Sequence, residues 1–272
     1  MEDHGGLTEI SLFTGYGGFS LGLRLAGIQI RTVLYCEIEP YCQAIIQQRI
    51  KDGFFDDAPI WPDVRTLDGR LFAGKVGIIT AGFPCQPHSL AGKRRGGADE
   101  RNLWPETLRL IREVEPRYAL LENVPGILAN GYAGAVVGEL SEIGYDCIWN
   151  CVPAAAVGAP HLRWRWWCLA YASGNKHAEY NLKYETMGRI QQPGSNGESG
   201  DVADYDPAGL PELCWFAANA QTPRRRKPDT DNWWPVEPDV GRVADGIAHR
   251  VDRLKALGNG IVPAVVRKFL VQ

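Results

Sequence analysis

The stretch ITAGFPCQPHSL, residues 79–90, places Cys85 between two prolines directly after an apolar run. A thiol serves as a nucleophile when it is held in place, partly exposed and surrounded by polar groups. The prolines stiffen the loop on both sides of the cysteine. We therefore interpret Cys85 as a candidate nucleophile rather than as a buried structural cysteine. A protease-like pair with His88 or His161 is disfavoured, because no oxyanion-hole motif or Asn/Asp partner motif accompanies it.

Carboxyl and guanidinium groups follow later apolar runs. Glu122 ends the apolar part of LLENVPG, and burial there is expected to raise the pKa of its carboxyl, so that it serves as an acid near neutral pH. Arg163 and Arg165 stand two apart in HLRWRWW, which predicts one strand face with both arginines and the other face with tryptophans. Paired guanidinium groups suit a phosphate or another anion. A turn-forming glutamate and a solvated arginine face are the simpler alternatives.

A glycine-rich turn in LFTGYGGF, residues 12–19, predicts close approach of a ligand to the backbone. The next predicted strand ends at Glu37, about 20 residues later, where an acidic residue accepts hydrogen bonds from ribose hydroxyls in nucleotide-binding folds. The Gly-x-Gly-Gly spacing does not match the dinucleotide fingerprint, so S-adenosylmethionine (AdoMet), which lacks a pyrophosphate, fits better. Asp63, in WPDVR, is placed to accept from an adenine amino group. A tight structural turn and a capping role for Glu37 are the alternatives.

The elements that must position these residues alternate between strands and helices. Apolar and β-branched runs predict strands, and helical spacing of apolar residues predicts helices. The predicted strands cover 9–13, 31–37, 76–82, 117–124, 145–152 and 165–172, and the predicted helices cover 21–28, 40–50, 103–114 and a last helix from about Pro263. This order predicts an α/β, Rossmann-like, mostly parallel sheet with ligands at the carboxyl ends of its strands. After residue 172 the chain becomes polar and rich in Gly, Ser and Asn, which predicts a small irregular domain.

The composition disfavours a membrane protein, a disulfide-stabilised protein and a zinc-binding protein. The 272 residues carry a formal net charge of −3 and seven cysteines. No apolar run reaches the roughly 18 residues of a membrane helix, and MEDHGGLTEI lacks signal-peptide features, so we expect a cytoplasmic protein without a membrane partner. Scattered cysteines in odd number argue against a disulfide framework, and Cys147 and Cys151 lack the second pair of a zinc site, so no metal is expected. The basic runs GKRRGG and TPRRRKP read, by themselves, as solvated loops.

Taken in order, the segments resemble the cytosine carbon-5 DNA methyltransferase family of bacteria and phages. SLFTGYGGFSLGLRLAG is similar to the AdoMet loop of that family, AGFPCQPHSLAGKRRG to its catalytic loop, LLENVPGI to its Glu-Asn-Val motif, PHLRWRWW to its Gln-x-Arg-x-Arg motif and RLKALGNGIVP to its closing Gly-Asn motif. Two positions depart from the pattern: His161 stands where the family usually has Gln, and Ser11 stands where many relatives have Asp. The resemblance covers about 9–172 and 241–270.

The resemblance implies three segments: an AdoMet-binding catalytic domain over 1–172, a target recognition domain over 173–240 and a segment over 241–272 that returns to the catalytic domain. It implies that Cys85 adds to carbon 6 of a flipped-out cytosine, that Glu122 holds or protonates ring nitrogen 3, and that Arg163 and Arg165 position the base. The implied AdoMet-binding residues are Phe13, Gly15, Gly17, Gly18, Glu37, Ile38, Asp63, Val64, Pro84, Leu103 and Asn259. The implied DNA-binding residues are Gln86, Ser89, Lys93, Arg94, Arg95, Arg224, Arg225 and Arg226.

The resemblance implies that double-stranded DNA is the partner. It also implies a monomeric enzyme, and a cognate restriction endonuclease as a second candidate partner. The tRNA-methylating branch of the same family is one alternative, but PHSLAGKRRG lacks the Cys-Phe-Thr sequence of that branch. A non-catalytic DNA-binding relative is the other alternative. The presence of Cys85, Glu122 and both arginines disfavours it.

Overall fold

The structure, a computed structural model, describes residues 6–84, 102–128, 131–159, 161–173, 252 and 257–271. The predicted target recognition domain therefore lies almost wholly outside the described residues. So do several predicted site residues, namely Cys85, Gln86, Ser89, Lys93, Arg94, Arg95, Arg224, Arg225 and Arg226. Within the described ranges, no helix is long and apolar enough to cross a membrane, and no disulfide joins the five cysteines found there.

Seven strands of the described chain form one sheet. They are β1 (Leu7–Leu12), β2 (Ile30–Cys36), β3 (Ile60–Trp61), β4 (Ile78–Ala81), β5 (Tyr118–Asn123), β6 (Tyr145–Pro153) and β7 (Trp164–Ala172). Their order across the sheet is β3-β2-β1-β4-β5-β7-β6. Every pair is parallel except those of β7, which runs antiparallel to β5 and to β6. The predicted mostly parallel, Rossmann-like α/β fold is confirmed.

Besides helical residues at 252 and 257–259, five α-helices with both ends in the described residues cover both faces of the sheet. They are α1 (Gly18–Leu25), α2 (Pro40–Lys51), α3 (Trp104–Val114), α4 (Tyr132–Glu142) and α5 (Pro263–Val271). On one face, Leu108 of α3 and Val136 of α4 join the core that the sheet buries there. On the other, Phe19 of α1 and Phe269 of α5 pack with Trp167 of β7. Burial on both faces accounts for the continuous apolar runs in the central strands.

Two helices differ from the sequence prediction. α1 begins at Gly18 rather than near residue 21, because Gly17 has a φ of 84° and turns the chain directly into the helix. The sequence pattern does not predict α4, whose segment YAGAVVGELSE contains two glycines that lower its helix propensity. Val136 and Leu140 are fully buried, so tertiary packing compensates for the weak local preference.

The strand order places two loops at one crevice. β1 lies between β2 and β4, so the chain first builds outward through β2 and β3 and then returns to the other side of β1. In open α/β sheets, ligands bind at the carboxyl ends of the strands where this order reverses. The loops after β1 and after β4 both leave from that point. The first is the glycine turn, and the second leads through Pro84 to Cys85.

Candidate active site

The turn after β1 has backbone conformations that favour glycine. Gly15 and Gly17 have φ values of 58° and 84°, and Phe13 has a φ of 53° although it is not a glycine. A Cβ atom at Gly17 would lie 2.1 Å from the ring of Phe55, whereas one at Gly15 would meet no atom within 4 Å. Packing therefore requires glycine at 17, and the space beside Gly15 is open to a ligand. Unfavourable backbone at Phe13 is typical of a functional site.

Glu37 ties the end of β2 to this turn. The Gly15 N–H donates to Glu37 Oε2 at 2.6 Å, and the Glu39 N–H donates to Oε1 at 2.8 Å. The residue is 7% exposed. Each carboxylate oxygen has a second lone pair, so Glu37 retains acceptor capacity for a ribose hydroxyl while it holds the turn.

The ends of β2 and β3 supply the other expected cofactor contacts. Asp63 caps the short 3₁₀ helix Val64–Thr66, accepting from the Arg65 N–H at 3.0 Å. Val64 is buried, but Ile38 is 59% exposed and presents apolar surface beside Glu37. Two carboxylates, an apolar surface and an open glycine turn at one sheet edge are the groups that ribose hydroxyls, an adenine amino group and an adenine ring require. The residues present therefore fit an adenosine-bearing cofactor.

Glu122 and Arg165 form a buried ion pair. Arg165 Nε lies 2.8 Å from Glu122 Oε1, and the two side chains are 21% and 11% exposed. Burial raises the pKa of Glu122 above its usual value, while Arg165 and Arg163 oppose the shift. The direction of the shift is the one predicted from the sequence. A carboxyl in this environment is suited to hold or deliver a proton.

Glu122 also lies beside the strand that leads to Cys85. A Cβ atom built on Gly82, which follows β4, would be 3.3 Å from Glu122 Oε2. Asn123 Nδ2 donates to the Phe83 carbonyl at 3.0 Å, and the Leu103 N–H donates to the Pro84 carbonyl at 3.4 Å. The root of the cysteine loop is thus fixed to the end of β5 and to the start of α3. Cys85 itself lies outside the described residues.

Arg163 holds the turn that precedes α5. Its Nη1 donates to the Gly258 carbonyl at 2.9 Å and its Nη2 to the Gly260 carbonyl at 2.6 Å. Burial lowers the pKa of Arg163, and the charge of Arg165 acts in the same direction. Asn259, a predicted cofactor residue, lies between the two held carbonyls and is exposed.

The predicted arrangement of the arginine motif is partly wrong. β7 begins at Trp164, and Arg163 precedes it with a φ of 39°, so the two arginines do not continue along one extended strand. Trp167 lies on the same face of the sheet as Glu122, its partner in the β5–β7 ladder, and both line a small cavity with Arg165. The solvated-face alternative is also wrong for Arg165, because its guanidinium pairs with a buried carboxylate.

The two departures from the family pattern have different surroundings. The Thr14 hydroxyl donates to the Ser11 carbonyl at 2.8 Å and lies 3.1 Å from the Ser11 hydroxyl. Ser11 is 1% exposed, and through these contacts with Thr14 it stabilises the start of the glycine turn. His161 is exposed, just before β7.

Three residues that position the site are absent from the sequence prediction. Asn123 anchors Phe83, and Arg109 of α3 donates to the Val64 and Leu67 carbonyls, each at 3.0 Å. Tyr16 donates from its hydroxyl to the Ile261 carbonyl at 2.6 Å. The sequence offers a signal for two of them, since Asn123 belongs to the Glu-Asn-Val motif and Tyr16 lies among the glycines, whereas an arginine on an amphipathic helix is ordinary.

Two concave regions border the described part of the site. The small cavity contains Glu122, Arg163 and Arg165. A larger apolar groove between α1 and α2 is lined by Tyr41, Phe54 and others but includes none of the predicted catalytic residues. Of these two regions, only the smaller cavity brings predicted catalytic residues together.

Solved structures of methyltransferases have a fold similar to that of this chain. DNMT2 of Spodoptera frugiperda aligns over 63% of this chain and 51% of its own, with a TM-score of 0.52 and 20% identity. S. pombe Dnmt2 methyltransferase aligns over 68% and 57%, with a TM-score of 0.51 and 24% identity. At this identity the likeness concerns the fold alone.

Sequence comparison identifies the family. The family profile of the C-5 cytosine-specific DNA methylases matches residues 7–231, and the chain belongs to that family. The Type II methyltransferase M.CviJI of Paramecium bursaria Chlorella virus IL3A is 36% identical over 162 residues, covering 59% of this chain and 42% of its own. M1.HphI of Haemophilus parahaemolyticus is 31% identical over 220 residues, covering 74% and 57%. The chain spans about half the length of the curated relatives that it matches.

Proposed function

We propose that the chain is a DNA (cytosine-5-)-methyltransferase that methylates a flipped-out cytosine in a specific duplex sequence through a covalent Cys85 adduct. The observation that carries this proposal is the Glu122–Arg165 pair, buried beside Gly82 and therefore beside the root of the cysteine loop. The family match and the Type II methyltransferases among the relatives support the same reaction.

The reaction begins with attack by the Cys85 thiolate on carbon 6 of the cytosine. A carbon–sulfur bond forms, the double bond between carbons 5 and 6 opens, and Glu122 delivers a proton to nitrogen 3 so that the ring carries no net negative charge. Carbon 5 thereby becomes an enamine-type nucleophile. AdoMet, when bound, supplies an electrophilic methyl group to this carbon. Solvent then accepts the carbon 5 proton and the nitrogen 3 proton returns to Glu122, which restores the double bond, releases the Cys85 thiolate and leaves a neutral 5-methylcytosine.

The environment of Glu122 suits this role. Its pKa is raised by burial, so a larger fraction of the carboxyl holds a proton near neutral pH than in water. Arg165 Nε binds Oε1 and fixes the orientation of the carboxyl. Oε2 lies on the Gly82 side, and we propose that this oxygen faces the base.

AdoMet would be held by the edge that the glycine turn, Glu37 and Asp63 form. Gly15 leaves space for the methionine part, Glu37 accepts from ribose hydroxyls, and Asp63 accepts from the adenine amino group. Ile38 would cover the adenine ring. Pro84, Leu103 and Asn259 complete the proposed pocket.

Recognition of DNA is assigned to the segment over 173–240 and to the basic runs. Extruding the base costs a few kcal/mol, which contacts in the pocket and to the phosphates must offset. Arg224–Arg226 and Lys93–Arg95 are proposed as phosphate contacts, and Gln86 and Ser89 as contacts near the vacated base pair. We further propose a monomeric, cytoplasmic enzyme that acts with a cognate restriction endonuclease, as the names of the Type II relatives suggest.

Mechanism-based trapping tests the proposal. Duplex DNA is synthesised with 5-fluorocytosine at every cytosine position, so that any target site is present, and is incubated with AdoMet labelled in its methyl group. Because fluorine cannot leave as a proton does, we expect a labelled protein–DNA adduct that survives denaturation. Cys85→Ala should abolish the adduct. The control variant Cys42→Ala, which changes a buried cysteine on α2, should still form it.

The other outcomes identify the alternatives. Methyl transfer to tRNA without transfer to DNA would overturn the choice of polymer. DNA binding without adduct or transfer would favour a non-catalytic relative. Bisulfite sequencing of DNA from an expressing cell then reads the target site.

A further inference from the structure

Residues 258–261, called the 258–261 turn, comprise the last helical residues at 258 and 259 and the bend at Gly260 that leads towards α5, and two side chains hold this segment. Arg163, which precedes β7, binds the carbonyls of Gly258 and Gly260. The Tyr16 hydroxyl of the glycine turn donates to the Ile261 carbonyl at 2.6 Å. The Tyr16 bond joins residues 245 positions apart, and the two Arg163 bonds join residues 95 and 97 positions apart. The turn thereby links the proposed cofactor loop to the arginine motif.

Close approach of the backbones makes this contact specific. A Cβ atom on Gly260 would lie 1.8 Å from Tyr16 Cε1, so the tyrosine ring occupies the space that any side chain at 260 would need. A Cβ atom on Gly18 would lie 2.7 Å from the Ile261 carbonyl oxygen. Both glycines are thus required for the Tyr16 ring and the turn to pack together.

The chemical state of Tyr16 suits a donor. Burial raises the pKa of its hydroxyl, the charge of Arg163 lowers it, and that of Glu122 raises it. The phenol therefore stays protonated at neutral pH and donates to the Ile261 carbonyl.

We propose that Tyr16 is a positioning residue that fixes the 258–261 turn, and with it Asn259, against the glycine loop. This inference rests on the proposed use of AdoMet. When the hydroxyl is removed, Arg163 supplies the remaining side-chain hydrogen bonds to the turn among the described residues, and Asn259 is held less firmly relative to the glycine loop. Cofactor affinity, rather than the chemical step, is the property that Tyr16 sets.

The first test is Tyr16→Phe, measured by calorimetric titration with AdoMet and by hydrogen–deuterium exchange of the AdoMet-free protein. We expect AdoMet to bind roughly fivefold more weakly, the loss typical of one hydrogen bond. Amides of 260–266 should exchange faster than in the wild type. At saturating AdoMet, kcat should stay within about twofold of the wild-type value while the KM for AdoMet rises.

The second test uses the clash at Gly260. Gly260→Ala should weaken AdoMet binding more than Tyr16→Phe does, because the new methyl group collides with the tyrosine ring. In the Tyr16→Ala background the same Gly260→Ala change should have little further effect. If Gly260→Ala acted only by destabilising the fold, its effect on AdoMet binding would add to that of Tyr16→Ala. The absence of a further effect would therefore show that Gly260→Ala acts through its collision with the Tyr16 ring.

Tyr145→Phe is the matched control. Its hydroxyl donates to the Pro116 carbonyl at 2.6 Å, the same length as the Tyr16 bond, but far from the glycine turn. It should lower the unfolding free energy and leave AdoMet affinity unchanged. Wild-type affinity and wild-type exchange in Tyr16→Phe would overturn the inference. If the wild-type protein binds no AdoMet, the proposed function fails, and the exchange measurement still decides whether Tyr16 holds the turn.

Discussion

At Glu122, two opposing effects act on one carboxyl group. Burial disfavours the charged form and raises the pKa, whereas Arg165 at 2.8 Å and Arg163 favour the charged form. Burial is the larger effect, so the proton is held to higher pH than on an exposed glutamate. The arginine then serves mainly to orient the carboxyl.

This balance predicts the pH dependence of catalysis. The proposed mechanism requires the protonated form of Glu122, so its contribution should be full below its pKa in the folded enzyme and should be lost as pH rises through that value. Glu122→Gln should lower kcat/KM by about 100-fold or more, the usual contribution of a positioned acid. The variant should also lack the alkaline fall in kcat/KM, measured by methyl transfer across pH.

An exposed glutamate provides the comparison. Glu115→Gln, at the end of α3, should keep both the rate and the alkaline limb of the wild-type enzyme. An unchanged alkaline limb in Glu122→Gln would assign that limb to another group.

Among the elements, α1 and α5 pack unusually closely because α1 presents glycines to its neighbour. A Cβ atom on Gly22 would lie 2.4 Å from Val266 Cβ and 2.8 Å from the Pro263 carbonyl oxygen. Since α1 follows the glycine turn and α5 follows the 258–261 turn, their contact keeps both turns at the same edge of the sheet.

The contact predicts opposite effects for two glycine substitutions. Gly22→Ala should lower the unfolding free energy by about 1–3 kcal/mol, because the methyl group overpacks the helix interface. Gly134→Ala, on α4, meets no atom within 4 Å and should raise it by about 0.5–1 kcal/mol through higher helix propensity. Urea unfolding of both variants measures the difference. A higher unfolding free energy for Gly22→Ala would contradict this prediction, because it would show that α1 and α5 can move apart without loss of stability.

Across the whole molecule, the strands and most helices can be predicted from the sequence, but the contacts between distant segments cannot. The apolar runs that become β1, β2, β4, β5 and β7 are evident because most of their residues are buried. β6, which lies at the edge of the sheet and is mostly half-buried, is evident from its run of apolar and aromatic residues. The bond from Tyr16 to Ile261 and the clamp by Arg163 are not evident, because they join distant segments through backbone carbonyls that carry no residue signature. Arg109 is hidden for the same reason. Glu122 was predictable because a carboxyl at the end of an apolar strand is rare and chemically costly.

Glu9 links the centre of the sheet to the stability of the whole molecule. Its carboxylate is fully buried and accepts from the hydroxyls of Ser20, Thr32 and Thr80 at 2.7–2.8 Å. Burial raises the pKa of Glu9, although the hydroxyls and Arg24 oppose the shift. One side chain thus connects β1 with α1, β2 and β4.

The raised pKa predicts a pH-dependent difference between wild type and Glu9→Gln. Below the unfolded-state pKa, near 4.5, both states of the wild type hold the proton. As pH rises toward the folded-state value, only the unfolded state ionises, so wild-type stability falls by up to about 1.4 kcal/mol per pH unit relative to the variant. Unfolding free energies of both proteins across pH measure this. Exposed Glu142→Gln should instead track the wild type, and parallel curves for Glu9→Gln would contradict the prediction.

The adjacency of β1 and β4 has a consequence for how such an enzyme tolerates change. Leu12 and Ala81 are partners in a parallel ladder, so the roots of the two reactive loops are one strand spacing apart, about 4.8 Å. Backbone hydrogen bonds set that distance, and they are indifferent to side-chain identity. Side chains on the loop surfaces can therefore change without altering this spacing, whereas a slip of one residue between these strands, about 3.3 Å, would displace the proposed cofactor turn relative to the proposed nucleophile loop.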